Sequence, residues 1–454
     1  MKLFSKAGIV SLLILIGLLL LLFSGELVLS LVQAAQNSPV GVKRQPPVTP
    51  VGSRLLTPII PLSPEVSATA TSPITVLNHQ DAPPLQLANE QYVIYMQRDM
   101  LYLVSIVGNY AQVIPTEGFI SNTATPPILL PSGQILYSGD GIWMTSISGG
   151  TPTQIAPLDP GQVITSMALS DDGKMIAWST EPTSGTGMIA IHAGPLGNAA
   201  IVYEQSALDC PCFRIFSFVH GSSAQADHTL LLTDDRGSHE AVQYGLWSLD
   251  LSGTPATLQP ILDENLEQQG PLALTPSGNT LLYASSEGAV PEPTDNSVPA
   301  DIAALSYANS LNITSLSGSP LALGKTQVIL PEQNNLSNGA QYHWVTTPIF
   351  SPDAHTLAYV EFSSDDQDPY DRHSALYTVQ VSGSGAHLLI GKPQLLATTT
   401  SQLVELGHWF NNHTLTFYAD GMLYAIDTQS GSFTAFAQPG DYARIIAAVG
   451  SPGS

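Results

Sequence analysis

The sequence predicts an all-β protein built from a repeated unit of four strands. Short segments with alternating apolar residues end repeatedly at a glycine, as in GIWMTSISGG (141–150) and GLWSLDLSG (245–253). Such alternation indicates β-strands, and a terminal glycine indicates a hairpin turn. Charged residues make up only 11% of the 454 residues, whereas apolar residues make up 44%. This composition supports a large core and is typical of a β-rich exported protein.

The same strand recurs seven times after residue 91. The seven copies are marked by residues that lie 41 to 65 positions apart: Tyr102, Trp143, Ile189, Trp247, Asn312, Tyr377 and Tyr424. A propeller blade of four strands takes about 40–45 residues, and surface loops absorb the insertions of the longer units. We therefore predict that residues 91–454 form a β-propeller of four-stranded antiparallel blades, with seven blades favoured in a range of six to eight.

A strand–turn–strand element precedes most of these strands. Its turns are rich in Asp, Gly, Pro and Asn, which accept the backbone angles of a tight hairpin. Its second strand is almost continuously apolar, which indicates burial on both faces. The clear examples are residues 167–180, 272–286 and 348–362. We expect the inner ends of the blades near Ala168, Phe216, Leu272 and Pro348.

Two of these hairpins resemble a known repeat. The segments ALSDDGKMIAWS (168–179) and FSPDAHTLAYV (350–360) are similar to the signature F-S-P-D-G-K-x-I-A-F of TolB-like propeller repeats, a WD-repeat-like family. They depart from it at Asp171, Trp178 and Ala354. The resemblance implies a β-propeller and says little about activity, because such repeats occur in enzymes, receptors and scaffolds alike. The signature residues build turns, so none is carried over as a functional residue.

The first of these hairpins also invites comparison with the Asp box of sialidases, S-x-D-x-G-x-x-W. Ser170, Asp172 and Trp178 supply three of its residue types. The glycine, however, comes one position early at Gly173, and the tryptophan comes one position late. We therefore favour a simple hairpin turn at this place.

Closure of the ring is predicted from the end of the repeat region. The segment ARIIAAV, residues 443–449, follows the last unit and is apolar enough for a strand. We expect it to join the first blade and lock the ring. The alternative is PITVL, residues 73–77, which comes just before the first blade.

Residues 1–36 are predicted to be a targeting segment with a hydrophobic helix. Lys2 and Lys6 precede the uncharged run Ala7–Gly25, whose 19 residues approach the length of about 20 that spans a membrane. The sequence VQA at residues 32–34 offers small residues to a signal peptidase. An uncleaved signal anchor is favoured over a cleaved signal peptide. The propeller is then expected outside the cytoplasm, on a single-pass protein of the cell membrane, or secreted if the segment is cleaved.

Residues 37–90 are predicted to be a stalk outside the cytoplasm. Ten of these 54 residues are proline, and Ser and Thr are frequent. Proline removes a backbone donor and fixes φ, so a regular helix or an inner strand is disfavoured there. The segment is typical of an extended, semi-rigid linker.

The formal net charge of −23 limits the partners. A chain this acidic repels phosphate backbones, so nucleic-acid binding is not expected. It also repels anionic lipid headgroups, which leaves the N-terminal helix as the expected membrane contact. We expect a protein or peptide with cationic groups, or a glycan, as partner, and a monomeric propeller.

A weak candidate for a calcium site lies in the segment SSDDQDPYDRH, residues 363–373. Its four closely spaced carboxylates are the hard oxygen ligands that Ca²⁺ prefers: Asp365, Asp366, Asp368 and Asp371. Their spacing does not match the EF-hand loop. A solvated acidic insertion is therefore the favoured interpretation, and no other cofactor is expected.

The two cysteines stand in the motif CPC, at Cys210 and Cys212. Outside the cell they are expected to form a local disulfide across Pro211. Two free thiols are the next interpretation. A metal site with His220, His228 or His239 ranks last, because zinc sites usually space their cysteines C-x₂₋₄-C.

The sequence thus favours a binding scaffold of the cell envelope and assigns no catalytic residue. The acidic insertions at 289–302 and 363–373 are the segments expected to contact a partner. The alternative is a carbohydrate-active hydrolase or lyase with its site in the propeller channel. Mainly apolar or hydroxylic residues flank the expected inner ends, with His220 and His343 as exceptions, which favours binding over catalysis.

Overall fold

The chain divides into two units, residues 1–54 and Leu55–Ser454, and the described residues lie in the second. The structure is a computed structural model. It describes residues 75–77, 91–106, 110–118, 120, 126–208, 211–219, 228–234, 244–262, 269–285, 310–331, 341–365, 372–383, 387–399, 404–440 and 443–449. Within these ranges no helix is long and apolar enough to cross a membrane. The predicted targeting segment at 1–36 lies outside them.

The described strands form seven sheets, and each sheet is one blade. Blade 1 contains β1 (Thr75–Leu77), β2 (Tyr92–Gln97), β3 (Met100–Ser105) and β4 (Tyr110–Ile114), and blade 2 contains β5 (Ile128–Leu129), β6 (Gln134–Ser138), β7 (Gly141–Ser146) and β8 (Thr153–Pro157). Blade 3 contains β9 (Gln162–Leu169), β10 (Met175–Pro182), β11 (Met188–Pro195) and β12 (Ala200–Ser206). Blade 4 contains β13 (Phe213–Phe218), β14 (Thr229–Asp234), β15 (Tyr244–Asp250) and β16 (Thr257–Leu262).

The remaining strands build the second half of the ring. Blade 5 contains β17 (Gln269–Leu274), β18 (Thr280–Ser285), β19 (Ser310–Ser317), β20 (Ala322–Leu323) and β21 (Gln327–Leu330); blade 6 contains β22 (Gln341–Phe350), β23 (Thr356–Asp365), β24 (Arg372–Ser382), β25 (Leu389–Ile390) and β26 (Gln394–Thr399); blade 7 contains β27 (Val404–Trp409), β28 (Thr414–Ala419), β29 (Met422–Asp427) and β30 (Phe433–Ala437); β31 (Ala443–Val449) completes blade 1. The prediction of a seven-bladed propeller with antiparallel blades is confirmed. All seven residues that marked the repeat lie in the third strand from the centre.

The ring is closed by β31. This strand pairs antiparallel with β2, from Tyr92 opposite Val449 to Gln97 opposite Ala443, and it contacts β27 of blade 7. Blade 1 therefore takes its innermost strand from the end of the chain and its other strands from the beginning of the repeat region. The predicted closure by residues 443–449 is confirmed. Strand β1, from the alternative segment, pairs in parallel with β4 at the outer edge of blade 1.

The core lies between neighbouring blades. Each of its clusters joins residues of adjacent blades; Tyr92 and Ile94 of blade 1, for example, pack with Tyr137 of blade 2. Trp143 of blade 2 packs partly buried against this cluster. Because each blade buries both faces against its neighbours, its middle strands are apolar on both faces.

Aromatic pairs reinforce the middle of several blades. In blade 1, Tyr95 of β2 stacks on Tyr102 of β3 with ring centroids 5.0 Å apart. Tyr359 stacks in the same way on Tyr377 in blade 6, at 5.3 Å. These partners are directly opposite each other in the two strands. Cross-strand stacking therefore explains the aromatic residue of the third strand in these blades.

The signature hairpins are held by a serine and an aspartate. The Oγ atom of Ser170 donates to Asp172 Oδ1 at 2.8 Å and accepts from the N–H of Met175 at 2.9 Å. Ser351 makes the same two bonds, to Asp353 Oδ1 at 2.6 Å and from Thr356 N–H at 2.9 Å. These residues satisfy turn donors that the strands leave unpaired. Asp172 is thus part of a hairpin turn, as the sequence favoured over the sialidase motif.

Removal of β31 tests ring closure. Deleting residues 442–454 removes the inner strand of blade 1, including the buried Ile445 and Ile446. Each buried aliphatic side chain contributes about 1.5–3 kcal/mol, so we expect a large fall in the melting temperature or loss of the cooperative transition. Deleting only residues 450–454 keeps β31 and should leave the melt near that of the full chain. Equal melting curves for the two deletions would contradict closure by β31.

Candidate functional site

A cavity of about 520 Å³ opens at the centre of the ring. Its walls come from the innermost strands of four successive blades, β13, β17, β22 and β27, and from two prolines of hairpin turns. The lining residues are Phe216, Ser217, Leu272, Ala273, Leu274, Pro276, Pro348, Ile349, Phe350, Pro352, Gly407, His408 and Trp409. The volume lies in the range typical of small-molecule sites. An apolar wall with a few polar groups is also typical of such sites.

Three of the four residues predicted at the inner ends of the blades line this cavity. Phe216, Leu272 and Pro348 line the cavity. Ala168 does not, because it is packed in the cluster between blades 3 and 4. The side chain of His343 is not described, and His220 lies outside the described residues.

Bulges in the inner strands direct side chains toward the cavity. The pairing of β27 with β28 shifts register between Leu406 and Trp409, and the pairing of β22 with β23 shifts between Thr346 and Ile349. Strands β13 and β17 carry similar shifts. A bulge leaves residues outside the ladder and turns the strand locally. Cavity residues such as Pro348 and His408 stand at these shifts.

His408 is held in its bulge by one hydroxyl group. The backbone N–H of His408 donates to Thr416 Oγ1 at 2.9 Å, and Thr416 Oγ1 donates to the carbonyl of His408 at 2.8 Å. Thr416 is fully buried. Its side chain thus replaces the two ladder bonds that the bulge removes, and it fixes the backbone from which the imidazole projects.

Gly407 permits the close approach of blades 7 and 1. A Cβ atom at this position would lie 2.5 Å from Thr416 Oγ1 and 2.6 Å from Ile445 Cδ1. Neither neighbour can retreat easily, because Thr416 holds the bulge and Ile445 belongs to the closing strand β31. The glycine is therefore required by space rather than by a positive φ.

His408 is exposed to the cavity, yet the ring surrounds it. Loss of hydration inside the ring, together with the positive charge of Arg444 on β31, lowers the pKa of its imidazole to about 4. The residue is exposed and lines the cavity. At neutral pH the imidazole is uncharged, so one ring nitrogen donates a hydrogen bond and the other accepts one.

Trp409 adds an indole ring to the wall beside His408. The ring is 8% exposed, and its Nε1 atom has no hydrogen-bond acceptor among the described residues. A buried donor without a partner costs free energy, which is seldom tolerated without a structural or functional reason. Trp409 therefore brings a hydrogen-bond donor without a described partner to the part of the cavity wall that also contains His408.

A smaller cavity of about 260 Å³ adjoins the first between the hairpins of blades 5 and 6. Pro276 and Pro352 line both cavities. Its rim is polar and includes Asp353 and His355. The N–H of Asp353 donates to Asn412 Oδ1 at 3.1 Å, which ties the hairpin of blade 6 to that of blade 7. The apolar centre thus continues into a polar rim on one face of the ring.

The predicted calcium residues are not tested by the structure. Asp365 ends β23 and its side chain is not described, while Asp366, Asp368 and Asp371 lie outside the described residues. In the described ranges no group of three or more His, Cys, Asp or Glu is placed to hold a metal ion. The acidic insertion at 289–302 also lies outside the described residues.

The cysteine predictions are only partly covered. Cys212 is half-buried, and its N–H donates to Asp234 Oδ1 at 2.7 Å. Cys210 and His239 lie outside the described residues, and His228 is exposed just before β14. The disulfide between Cys210 and Cys212 therefore stays a prediction.

His408 and Trp409 were missed as site residues by sequence reasoning. In blades 2 to 7, a backbone N–H group just after the innermost strand closes the hairpin turn, and the repeat units can be aligned at this residue. The position two residues earlier is occupied in blades 2 to 7 by Ile128, Ala168, Ser217, Ala273, Ile349 and His408. Only the last of these side chains is titratable. Comparison of the repeat units at this position would have identified His408 as the exception.

Among the comparisons with known proteins, matches were found with solved structures. No protein-family model matches the sequence, and no curated protein matches it. Similar solved structures include a functionally unknown protein from Desulfotomaculum acetoxidans (10% identity, 79% of this chain and 98% of that chain covered, TM-score 0.47). They also include a periplasmic gluconolactonase from Pseudomonas aeruginosa (13%, 79% and 99%, 0.46) and a suspected TolB from Agrobacterium tumefaciens (13%, 79% and 99%, 0.37).

With identities and TM-scores this low, the matches concern architecture alone, and nothing about ligand or activity follows from them. The resemblance to TolB-like propeller repeats is confirmed at this level, because the chain forms a propeller of four-stranded blades.

Replacing Thr416 by valine tests the support of His408. The change keeps the side-chain shape but leaves the N–H and the carbonyl of His408 without their protein partner. We expect a loss of about 1–3 kcal/mol in the free energy of unfolding, measured by denaturant titration. Thr434→Val, at an exposed position of β30, is the matched control and should change stability by less than about 0.5 kcal/mol. Equal effects of the two substitutions would refute the anchoring role of Thr416.

The lowered pKa of His408 predicts a pH-dependent stability. Between the ordinary pKa of 6.5 and the folded value of about 4, the unfolded chain binds a proton that the folded chain does not. Stability should therefore fall as the pH drops through this window, and His408→Gln should weaken that fall. Unfolding titrations at several pH values compare the two proteins. A parallel pH profile for wild type and variant would show that the imidazole titrates alike in both states.

Proposed function

We propose that this propeller is an exported binding protein whose central cavity takes in part of a partner, either a peptide or a glycan. The observation that carries the proposal is the cavity wall itself. Apolar side chains from four blades surround a space of about 520 Å³, with the imidazole of His408 and the indole of Trp409 at one side. Apolar surface supplies affinity, and a few placed polar groups supply orientation.

The scaffold supports such a role by its rigidity. The wall residues stand on strands whose neighbours are buried between blades, and β31 closes the ring next to β27. Side chains held by a packed scaffold lose little freedom when a partner binds. Binding sites on strands are therefore more precisely shaped than sites on loops.

The wall supports binding rather than glycoside hydrolysis. Hydrolysis of a glycosidic bond uses two carboxyl groups that flank the bond. The described wall offers apolar side chains, one hydroxyl, one indole and one imidazole. A carbohydrate hydrolase or lyase would need groups beyond those described in this wall, so that alternative stays a prediction.

Export and the nature of the partner rest on the sequence. The two lysines and the apolar run in residues 1–36 support a membrane anchor. The proline-rich residues 37–90, of which Thr75–Leu77 pair with blade 1, support a spacer ahead of the propeller. The net charge of −23 supports a partner that carries cationic groups on the surface that meets the ring.

Blocking the cavity tests the proposed function. Ser217→Tyr places a ring in the cavity wall, whereas Ser252→Tyr places the same ring in an exposed loop after β15. Partners of the full chain are first identified by cross-linking in envelope extracts and by glycan arrays, and their affinities are then measured for each variant. We expect a loss of binding of about tenfold or more with Ser217→Tyr and none with Ser252→Tyr. Partners that bind both variants equally would show that the cavity is not the site.

A further inference from the structure

The smaller cavity places a carboxylate beside the apolar central cavity. Pro276 and Pro352, from the hairpins of blades 5 and 6, line both cavities. On the blade 6 side, Phe350 lines the central cavity and Asp353 lines the smaller one. Three peptide links separate these two residues, so their Cα atoms lie at most about 11 Å apart. A short stretch of peptide can therefore reach the apolar space and the carboxylate at the same time.

The carboxylate of Asp353 is held in position by its own turn. Its Oδ1 atom accepts hydrogen bonds from the Oγ atom of Ser351 at 2.6 Å and from the N–H of His355 at 3.0 Å. Partial burial opposes ionisation, but these hydrogen bonds outweigh it, and the pKa of the carboxyl group falls below its ordinary value. At neutral pH, Asp353 thus presents a negative charge at a fixed place in the wall of the smaller cavity.

The equivalent aspartate of blade 3 is paired with a cation, whereas the described residues supply none to Asp353. In blade 3, Lys174 Nζ lies 2.6 Å from Asp172 Oδ2. The hairpin of blade 6 has the same serine–aspartate bonds, but His355 occupies the position of Lys174. Within the ranges that the structure describes, no ion pair involves Asp353. A cation from a partner can therefore take the place at Asp353 that Lys174 takes at Asp172.

The remaining wall of the smaller cavity suits a long cationic side chain. Val381 and Leu388 are buried and offer apolar surface to its methylene groups. Ser277 Oγ and Thr280 Oγ1 donate to Asn279 Oδ1 at 2.7 and 3.1 Å, so these hydroxyl groups have acceptor capacity left but no free hydrogen. Acceptors suit an ammonium or guanidinium group, whereas a glycan needs donors as well. The described lining of both cavities contains no lysine or arginine that would repel such a group.

We propose that the two cavities together bind a peptide segment in which an apolar side chain lies close to a lysine or arginine. The apolar side chain packs in the central cavity against Leu272, Ile349 and Phe350, and the cationic side chain pairs with Asp353 in the smaller cavity. Burial of apolar surface supplies affinity, and the ion pair selects the neighbouring residue. This inference rests on the proposed function, because it names the partner chemistry that the same cavity recognises.

Short peptides with blocked ends test this arrangement. Calorimetry with the full chain, purified in detergent, measures the affinities of Gly-Phe-Lys-Gly-Gly, Gly-Phe-Gly-Lys-Gly and Gly-Phe-Gly-Gly-Lys, each acetylated and amidated. Each is compared with the peptide that carries glutamine in place of lysine. At the spacing that fits, we expect the lysine peptide to bind about two- to fivefold more tightly than the glutamine peptide, as is typical of an exposed ion pair. The difference should shrink as salt is added.

Variants place the cation at Asp353. Asp353→Asn can keep the hydrogen bonds of the turn and removes the charge, so it should abolish the preference for lysine and leave the affinity for the glutamine peptide unchanged. Asp172→Asn makes the same change in the equivalent turn of blade 3, which is not part of either cavity wall, and should preserve the preference. If Asp353→Asn lowers the melting temperature, Ser277→Lys serves as the second variant. It brings a competing cation into the smaller cavity without altering the turn of Asp353, and it should also abolish the preference.

Three results would overturn the inference: equal affinity for lysine and glutamine peptides at every spacing, a preference that survives both Asp353→Asn and Ser277→Lys, or absence of binding by all of these peptides. Identification of a neutral glycan as the occupant of the cavity would overturn it as well. The proposed function is judged separately. A partner that is lost with Ser217→Tyr but bound at full affinity by Asp353→Asn would uphold the cavity as the binding site while refuting recognition of a cation.

Discussion

The pairing of β31 with β2 is the interaction on which the rest of the structure depends. It joins residues 443–449 to residues 92–97, from opposite ends of the repeat region. Every other blade is assembled from consecutive strands, so its closure is local. Blade 1 alone must bring distant segments together, and the cost in chain entropy grows only slowly with the length of the loop. Once the pair forms, blades 7 and 1 pack against each other and the wall of the cavity is fixed.

Stability and function are separated within the repeat. Packing between blades runs around the ring, and cross-strand aromatic stacks and Ser–Asp hairpins add to it in several blades. The cavity depends on departures from this pattern. His408 stands where five other blades carry an apolar or hydroxylic residue, and Gly407 stands where a side chain would collide with β31. A repeat protein acquires a specific site in this way without weakening its framework.

The electrostatics of the cavity follow from the same junction. Blades 7 and 1 meet closely at Gly407, and loss of hydration inside the ring, aided by the charge of Arg444, lowers the pKa of His408 and keeps its imidazole neutral at neutral pH. A neutral imidazole offers one hydrogen-bond donor and one acceptor to a group that enters the cavity. The acidic charge of the chain as a whole acts at longer range and bears on the approach of a partner.

The sequence by itself determined the class of fold and favoured seven blades and the closing strand 443–449, because strand alternation, turn residues and repeat spacing are local signals. The same patterns placed Phe216, Leu272 and Pro348 correctly at the cavity. Only the tertiary structure decided that His408 and Trp409 face this space. Their positions depend on a bulge held by Thr416 and on contact between strands at the two sides of the ring closure. Comparison of the repeat units singles out His408 as an exception, but the register shift and the contact with β31 involve residues distant in the sequence and are seen only in the folded chain.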